Sequence, residues 1–430
     1  MVVMSGFNPY YTSDGSVGLY NEDVDDIYHS AQGALTEAYE KFIYPSNILD
    51  LALKDSAKIL DICFGIGYNT KSFLNSVLKI KKFDKKFLKN ISVYKYGIDT
   101  IYTNNKLHSV FKFFPEKIKY CTEKVYTHNI FNKIYIKAID IDKNLALLSP
   151  FIKTGKKNFD NKDFPFYKKI SKYLAKTTTP KQKINNLINY LLFYKIYSNN
   201  KEHLNNNKLI SILDNKEYEL YFDKKIIRLF KVLLKEVSIN PNKHTINPFL
   251  HNIYYKYVSK GYKNDLEHYN LQDIEFDLKI SDARSELLKD KNMYDLIFLD
   301  AFSPNKCPCL WTYDFFKELY NHLDDDGMIL TYTTSAAVRS AMLESGFYIG
   351  NSYNKRHKQN CGTIAVKNQK LIKHPLSEFD LGLLKTKAGI FYRDKDLTAQ
   401  NEAIITQRNL EVNTSNKMSS SRYINNKKNH

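Results

Sequence analysis

Six short apolar runs rich in β-branched residues constrain this chain more than anything else in it: KILDICF (58–64), YIKAIDI (135–141), IEFDLKI (274–280), YDLIFLDAF (294–302), MILTYTT (328–334) and GTIAVKN (362–368). Each is separated from the next by amphipathic or polar stretches, and strand alternating with helix reads as an α/β fold with a parallel sheet. The runs fall into two blocks. Between them, from about residue 151 to about residue 247, lies a Lys/Asn/Tyr-rich stretch. Its INNLINYLLFYKIY and KKIIRLFKVLLKEV have helical spacing, which predicts a helical, lysine-rich insertion. A second polar stretch, about 80–133, interrupts the first block and holds a strand-like VYKYGID. Beyond about residue 411 the chain is Asn, Ser and Lys with few apolar anchors, which predicts a disordered tail.

The formal charge of +18 suits a polyanionic partner, because clustered Lys and Arg attract phosphate and release its counterions. The accompanying abundance of Asn, Ile and Tyr is also what an A+T-rich genome encodes, so charge alone names no partner. The cysteines, Cys63, Cys121, Cys307, Cys309 and Cys361, lack the repeated close pairs of a zinc site and the density of a disulfide scaffold. No signal-peptide pattern opens the sequence, and no apolar run approaches the ~20 residues needed to cross a bilayer. The expectation is a soluble cytoplasmic protein that engages no membrane.

Carboxylates recur at the ends of the apolar runs. KILDICF leads into Gly65 and Gly67, and a helical pattern, TKSFLNSVL, follows; glycines at such a junction let the backbone turn and approach a ligand at a helix N-terminus. A dinucleotide fingerprint would have a third glycine at position 70, where this chain has Thr70. Asp61 stands where a carboxylate can reach a cationic or amino-bearing ligand, and S-adenosylmethionine presents both features. Asp140 ends the second run and suits the two ribose hydroxyls of a nucleoside. Asp142 is next in line, Asp99 of YGIDT competes, and each reads equally as a helix N-cap. Asp282 after IEFDLKI is placed to accept from an adenine amino group, or to cap the next helix.

YDLIFLD is apolar enough for a central strand, so Asp300 should emerge over the reacting part of a ligand crevice. A carboxylate beside Phe302 suits an amine: the charge attracts the protonated form, and the ring tolerates a cation while excluding water. Ser303-Pro304 and Cys307-Pro308-Cys309 stiffen the loop that follows. Trp311 either joins the substrate side with Ser303 or packs the core. Tyr332, at the tip of the next strand, is a further candidate for shaping the pocket.

Together, DDIYHSAQGALTEAYEKFI, ILDICFGIGYNT, FLDAFSPNKCPCLWTYDFF, DDDGMILTYTTSAAVRSAMLESGF and TKAGIFYRDKDL resemble the methyltransferase part of the MnmC family and its stand-alone relatives, which modify tRNA. The resemblance covers roughly 12–79, 134–152 and 246–408. It implies a Rossmann-like class I S-adenosyl-L-methionine-dependent methyltransferase sheet. It also implies methyl transfer to the exocyclic amine of 5-aminomethyl-(2-thio)uridine at the tRNA wobble position, with no metal. Carried over by position, Asp61, Gly65 and Gly67 match the cofactor loop, Asp300 and Phe302 match the site motif, and Glu37 matches the N-terminal glutamate. The chain departs from the family at Cys63, where glycine is usual; at NKRHKQNCG with Lys355 and Arg356, in place of GRKR; and at Phe391, where proline is common.

The expected organisation is a family-specific segment (1–56), a first methyltransferase part (57–152), the insertion (153–247), a second methyltransferase part (248–370), a C-terminal family segment (371–410) and the tail (411–430). No second glycine-rich turn suggests the FAD domain of fused relatives, so the amine should come ready-made from a separate enzyme. Two other readings remain at this stage: an aminopropyl or methyl transferase of the same fold acting on a small amine, and a tRNA-binding protein without catalysis.

Overall fold

The computed structural model of the chain describes residues 7–22, 26–28, 33–52, 54–78, 131–154, 181–198, 201–239, 273–354 and 359–428. Asp99 with VYKYGID, and Lys355 and Arg356, lie outside the described residues. Three N-terminal strands, β1 (Asn8–Tyr11), β2 (Val17–Asn21) and β3 (Asp26–Ile27), form a small antiparallel sheet. The central sheet has seven strands: β4 (Ser56–Ile62), β5 (Lys133–Asp140), β6 (Ile274–Ile280), β7 (Tyr294–Leu299), β8 (Leu323–Thr331), β9 (Tyr348–Asn354) and β10 (Gln359–Val366). All six apolar runs are strands of this sheet, and the parallel reading holds for five of them.

Strand order is β6-β5-β4-β7-β8-β10-β9, parallel from β6 to β8, with β10 antiparallel to both β8 and β9. The chain winds outward from β4 through β5 to β6, then returns to the other side of β4 with β7. The connection direction therefore switches between β4 and β7, and the crevice of an open α/β sheet lies outside the carboxyl ends of the strands at such a point.

β7 reads as an unbroken apolar run because both of its faces are covered, as expected for a central parallel strand; every residue in it is buried. On one face Phe298 meets Phe42 and Phe73 edge to face, with centroids 5.8 and 6.4 Å apart. On the other, Ile297 and Leu299 pack with Trp311, Phe315 and Phe316. β6 lies at the sheet edge, and only Ile274 of it is fully buried.

The Lys/Asn/Tyr-rich stretch contributes helices Lys181–Ser198, Asn207–Asp214 and Lys224–Ile239. They share the core of the sheet: Phe151 meets Phe193, Tyr197 and Phe230 edge to face, and Tyr197 Oη donates to Leu147 O at 2.8 Å. The disordered tail expected after residue 411 is corrected. Helices run over Asn401–Thr414 and Ser420–Lys428, and the second is held by Tyr423, whose ring lies 5.7 Å from Phe379. One aromatic anchor supplied what the polar composition concealed. No described helix is long and apolar enough to cross a membrane.

Candidate active site at the switch point

Asp61, Asp140, Asp282 and Asp300 all come to the carboxyl ends of parallel strands. Asp61 lies in β4, Asp140 ends β5, Asp282 follows β6 and Asp300 follows β7. After β4 the chain turns through Gly65 (φ 55°) and Gly67 (φ 80°) into a helix over residues 68–78. The two glycines serve different ends. A Cβ on Gly67 would come within 2.6 Å of the Phe64 ring and 2.7 Å of Ser149 Oγ, so packing requires glycine there. A Cβ on Gly65 would meet nothing closer than 4.0 Å, which leaves an open cradle over the loop. Cys63 itself takes φ 63°, the left-handed conformation that glycine adopts without cost.

Asp61 is fully buried and accepts a hydrogen bond from Thr70 Oγ1 at 2.6 Å. Thr70 thus replaces the third glycine of a dinucleotide loop with a hydroxyl that holds the strand's acid. Burial pushes the Asp61 carboxyl up to about 8, with Asp300 and Asp140 adding to the rise and the Thr70 bond opposing it. Asp140 ties the loop down: Oδ2 accepts from Gly65 N at 2.6 Å and Oδ1 from Asp142 N at 2.8 Å. Its carboxyl is raised to about 6 by burial, against those two N–H donors. Asp142 is the N-cap of helix Lys143–Leu148, accepting from the Asn144 and Leu145 amides. Asp282 caps helix Ala283–Leu287 and also binds Arg284, which reaches on to Asp394 at 2.7 Å. That ion pair ties the 386–397 segment to the β6 end of the site.

Around Asp300 the structure gathers residues that the sequence patterns left apart. Asn69 Nδ2 donates to Asp300 Oδ2 at 2.9 Å. Glu37, at the end of helix Ala34–Glu37, pairs with Lys41 in the π-helical turn Ala38–Ile43, a geometry common at functional sites. Asp14 fixes this element by accepting from the Thr36 amide and hydroxyl, both at 2.8 Å. Lys41 Nζ stands 5.3 Å from the centre of the Tyr332 ring, and the Tyr332 hydroxyl donates to Ala301 O at 2.9 Å. Burial, reinforced by the charge of Glu37, raises the Asp300 carboxyl to about 7, while the Asn69 bond and Lys41 pull it down.

Phe302 stacks at a tilt against Tyr28 with centroids 5.0 Å apart, so the N-terminal sheet walls the site. Tyr68 pins that sheet, accepting from Val17 N at 2.9 Å and donating to Val17 O at 3.1 Å. Ser303 is half-buried and its carbonyl closes the next turn by accepting from the Lys306 and Cys307 amides. Trp311 as a direct substrate contact is corrected: it is 0% exposed, and its Nε1 donates to Phe302 O at 2.8 Å. It holds the loop from beneath. Phe391 stacks on Tyr313 with centroids 5.6 Å apart. Asn69, Lys41 and Tyr28 were missed from the sequence; the only signal for Asn69 was its place at the start of the helix behind the glycines.

The profile of an S-adenosyl-L-methionine-dependent methyltransferase family matches residues 244–368. An uncharacterized protein of Methanocaldococcus jannaschii is 23% identical over 398 residues, 92% of this chain and 70% of that one. The bifunctional protein MnmC of tRNA 5-methylaminomethyl-2-thiouridine biosynthesis from Burkholderia vietnamiensis is 37% identical over 70 residues, 16% of this chain and 11% of that protein. The crystal structure of MnmC2 from Aquifex aeolicus shares the fold, with a TM-score of 0.50 at 18% identity over 96% of this chain and 86% of that one. Residues 244–368 thus carry the match to an S-adenosyl-L-methionine-dependent methyltransferase family, and segments of the chain are similar to MnmC.

The site fits S-adenosylmethionine, the cofactor of the matching family. The cradle over Gly65 is open, the buried acceptors Asp61 Oδ1 and Asn69 Oδ1 have no hydrogen-bond partner, and three carboxyls crowd one crevice. A ligand bearing a sulfonium and an ammonium supplies the positive charge and donors that these groups lack. A pH effect follows. Asp61, Asp140 and Asp300 are raised to about 8, 6 and 7 from an ordinary 3.8, so between pH ~4 and ~8 the folded protein holds protons that the unfolded chain has released. Stability of the ligand-free protein should therefore fall as pH rises through this window. Asp61→Asn keeps the acceptor for Thr70 and removes the most strongly raised carboxyl, so its melting temperature should fall less steeply between pH 5 and 8. Parallel pH profiles by scanning calorimetry would contradict the assignment.

Proposed function

We propose that the chain transfers a methyl group from S-adenosylmethionine to the exocyclic amine of 5-aminomethyl-(2-thio)uridine at the wobble position of tRNA, in the cytoplasm. A separate enzyme supplies the aminomethyl group. The observation that carries the reading is Asp300, set on a rigid central strand and surrounded by Glu37, Asn69 and Phe302 in an acidic, partly aromatic crevice. The likeness to MnmC segments supports the choice of substrate.

In this reading Asp140 holds the ribose of the cofactor, the Gly65–Gly67 turn takes its methionine end with Asp61 beneath, and Asp282 faces the adenine. When bound, the cofactor supplies an electrophilic methyl on sulfur, the N–C bond forming as the S–C bond breaks. Asp300 attracts the substrate ammonium and, with a carboxyl near 7, takes up a proton at working pH, the range in which a general base is most effective. The freed lone pair then faces the methyl group. Asp300 passes the proton on to water, and as the new ammonium forms the carboxylates of Asp300, ionised again, and Glu37 stabilise its charge. Phe302 and Tyr28 exclude water from the amine. Because Asp300 must be ionised, the rate should climb with pH through about 7 and level above it.

The strongly basic chain offers an exposed face on helix Lys224–Ile239, with Lys225, Arg228 and Lys235 along it. We assign this face to the tRNA backbone. Since these helices share the core of the sheet, substituting their surface tests the idea better than deleting them. Replacing all three residues by Ala should lower the log–log salt dependence of tRNA binding by about 0.7 to 0.9 for each phosphate that is no longer neutralised. A filter-binding series with an unchanged slope would leave these cations to composition alone. The substrate itself is tested by comparing the wobble nucleosides of tRNA from cells with and without the protein. Loss of the methylated amine, with its unmethylated precursor accumulating, is the expected result; an unaltered nucleoside profile would refute the proposal.

A further inference from the structure

Asn69 is 5% exposed and its side-chain amide is half satisfied. Nδ2 donates to Asp300 Oδ2 at 2.9 Å, whereas Oδ1 is buried without a hydrogen-bond partner. With Asp300 ionised, as the reaction requires, its carboxylate only accepts, which agrees with the amide nitrogen facing Asp300 and leaves the oxygen to face elsewhere as an acceptor. Buried polar groups are almost always partnered, which makes such an acceptor a position for a ligand donor. The neighbouring residue points the same way: Thr70 holds one oxygen of Asp61, and the other, Asp61 Oδ1, is also buried and unpartnered. Two buried acceptors without donors, Asn69 Oδ1 at the start of the helix and Asp61 Oδ1 in β4, in the crevice that also holds Asp300, call for N–H groups with positive charge.

We propose that Asn69 Oδ1 accepts a hydrogen bond from a ligand amine, so that Asn69 and Asp300 form a joint amine seat in which one side chain orients the other. The inference rests on the reading of this crevice as a methyltransferase site for an amine. The amine has two possible sources of the same chemistry: the α-amino group at the methionine end of the cofactor, and the aminomethyl nitrogen of the substrate. Asn69 fits either because it joins the glycine-loop helix to the tip of β7.

The test uses the full chain, with S-adenosylhomocysteine and 5′-methylthioadenosine as calorimetric probes. The second lacks the amino-acid end. Asn69→Leu removes donor and acceptor at similar size, and Asn69→Asp retains an acceptor. If the seat takes the cofactor amine, Asn69→Leu weakens S-adenosylhomocysteine by about tenfold or more, the scale of a hydrogen bond to a charged group. It leaves methylthioadenosine unchanged, and Asn69→Asp restores binding. If the seat takes the substrate amine, both probes bind normally, KM for aminomethyl tRNA rises about tenfold in the Leu variant, and Asn69→Asp lowers it again. Equal weakening of both probes marks a disturbed loop and overturns the inference. So does an unchanged S-adenosylhomocysteine affinity together with an unchanged KM, or with no tRNA turnover to read. Thermal melts confirm folding, and if the Leu variant does not fold, Asn69→Ser takes its place with the same outcomes. Because the cofactor arm needs no tRNA, selective loss of S-adenosylhomocysteine by a protein that leaves tRNA unmethylated upholds the amine seat and rejects only the proposed substrate.

Discussion

Asp300→Asn should lower single-turnover methyl transfer by at least ~100-fold, the scale of losing a directed electrostatic contact to a reacting centre. An amide has nearly the shape of a carboxylate, so the loop held by Trp311 and Tyr332 should stay in place. What disappears is the charge that attracts the ammonium, accepts its proton and stabilises the charged product. The variant should melt no lower than the parent, since the raised carboxyl is gone, and its S-adenosylhomocysteine affinity should be close to the parent's. The pH dependence of the residual rate should also lose its rise through about 7, because the titrating carboxyl has gone. Were Asp300 only a turn residue, Asn would serve as well, and a normal rate in the folded variant would remove it from the site.

The second large effect belongs to cofactor affinity. Asp140 is assigned to the ribose, and the same carboxylate also fixes the Gly65 and Asp142 amides at 2.6 and 2.8 Å. Asp140→Ala removes the ribose acceptor and frees the cradle together. With hydrogen bonds to a charged group each contributing about 1.5–3 kcal/mol, affinity for S-adenosylmethionine should fall about 100-fold or more by calorimetry. Asp142→Ala is the control, since Asp142 spends its carboxylate on the amides of Asn144 and Leu145. It should cost about 1 kcal/mol of stability and little affinity. Loss of binding in Asp99→Ala, with Asp140→Ala unaffected, would move the ribose contact to the rival carboxylate.

These residues show what a one-dimensional reading can reach. The strands were legible because burial on two faces leaves a continuous apolar run, and the acids stood out because each interrupts or ends such a run. Asp140 and Asp142 read alike in the sequence, since a ligand carboxylate and an N-cap have the same spelling; the hydrogen bonds show that Asp142 caps the following helix while Asp140 holds the Gly65 amide. Trp311 was misassigned because proximity in sequence to Asp300 is not proximity in the pocket: its indole lies beneath the loop. Asn69, Lys41 and Tyr28 escaped because nothing local marks them, and only folding brings them against Asp300, Tyr332 and Phe302 at the ends of β7 and β8. The tail failed for the opposite reason: Tyr423 is its one aromatic residue in a polar context, too sparse a pattern to register.

The most direct measurement is incubation of the purified protein and S-adenosylmethionine with tRNA bearing the unmethylated aminomethyl wobble uridine, followed by mass analysis of the nucleosides. A parallel reaction offers free polyamine in place of tRNA. The account predicts that the aminomethyl nucleoside gains one methyl on its exocyclic nitrogen and that the polyamine is unchanged. A folded protein that binds the cofactor, leaves the tRNA unmodified and alkylates the small amine would contradict it.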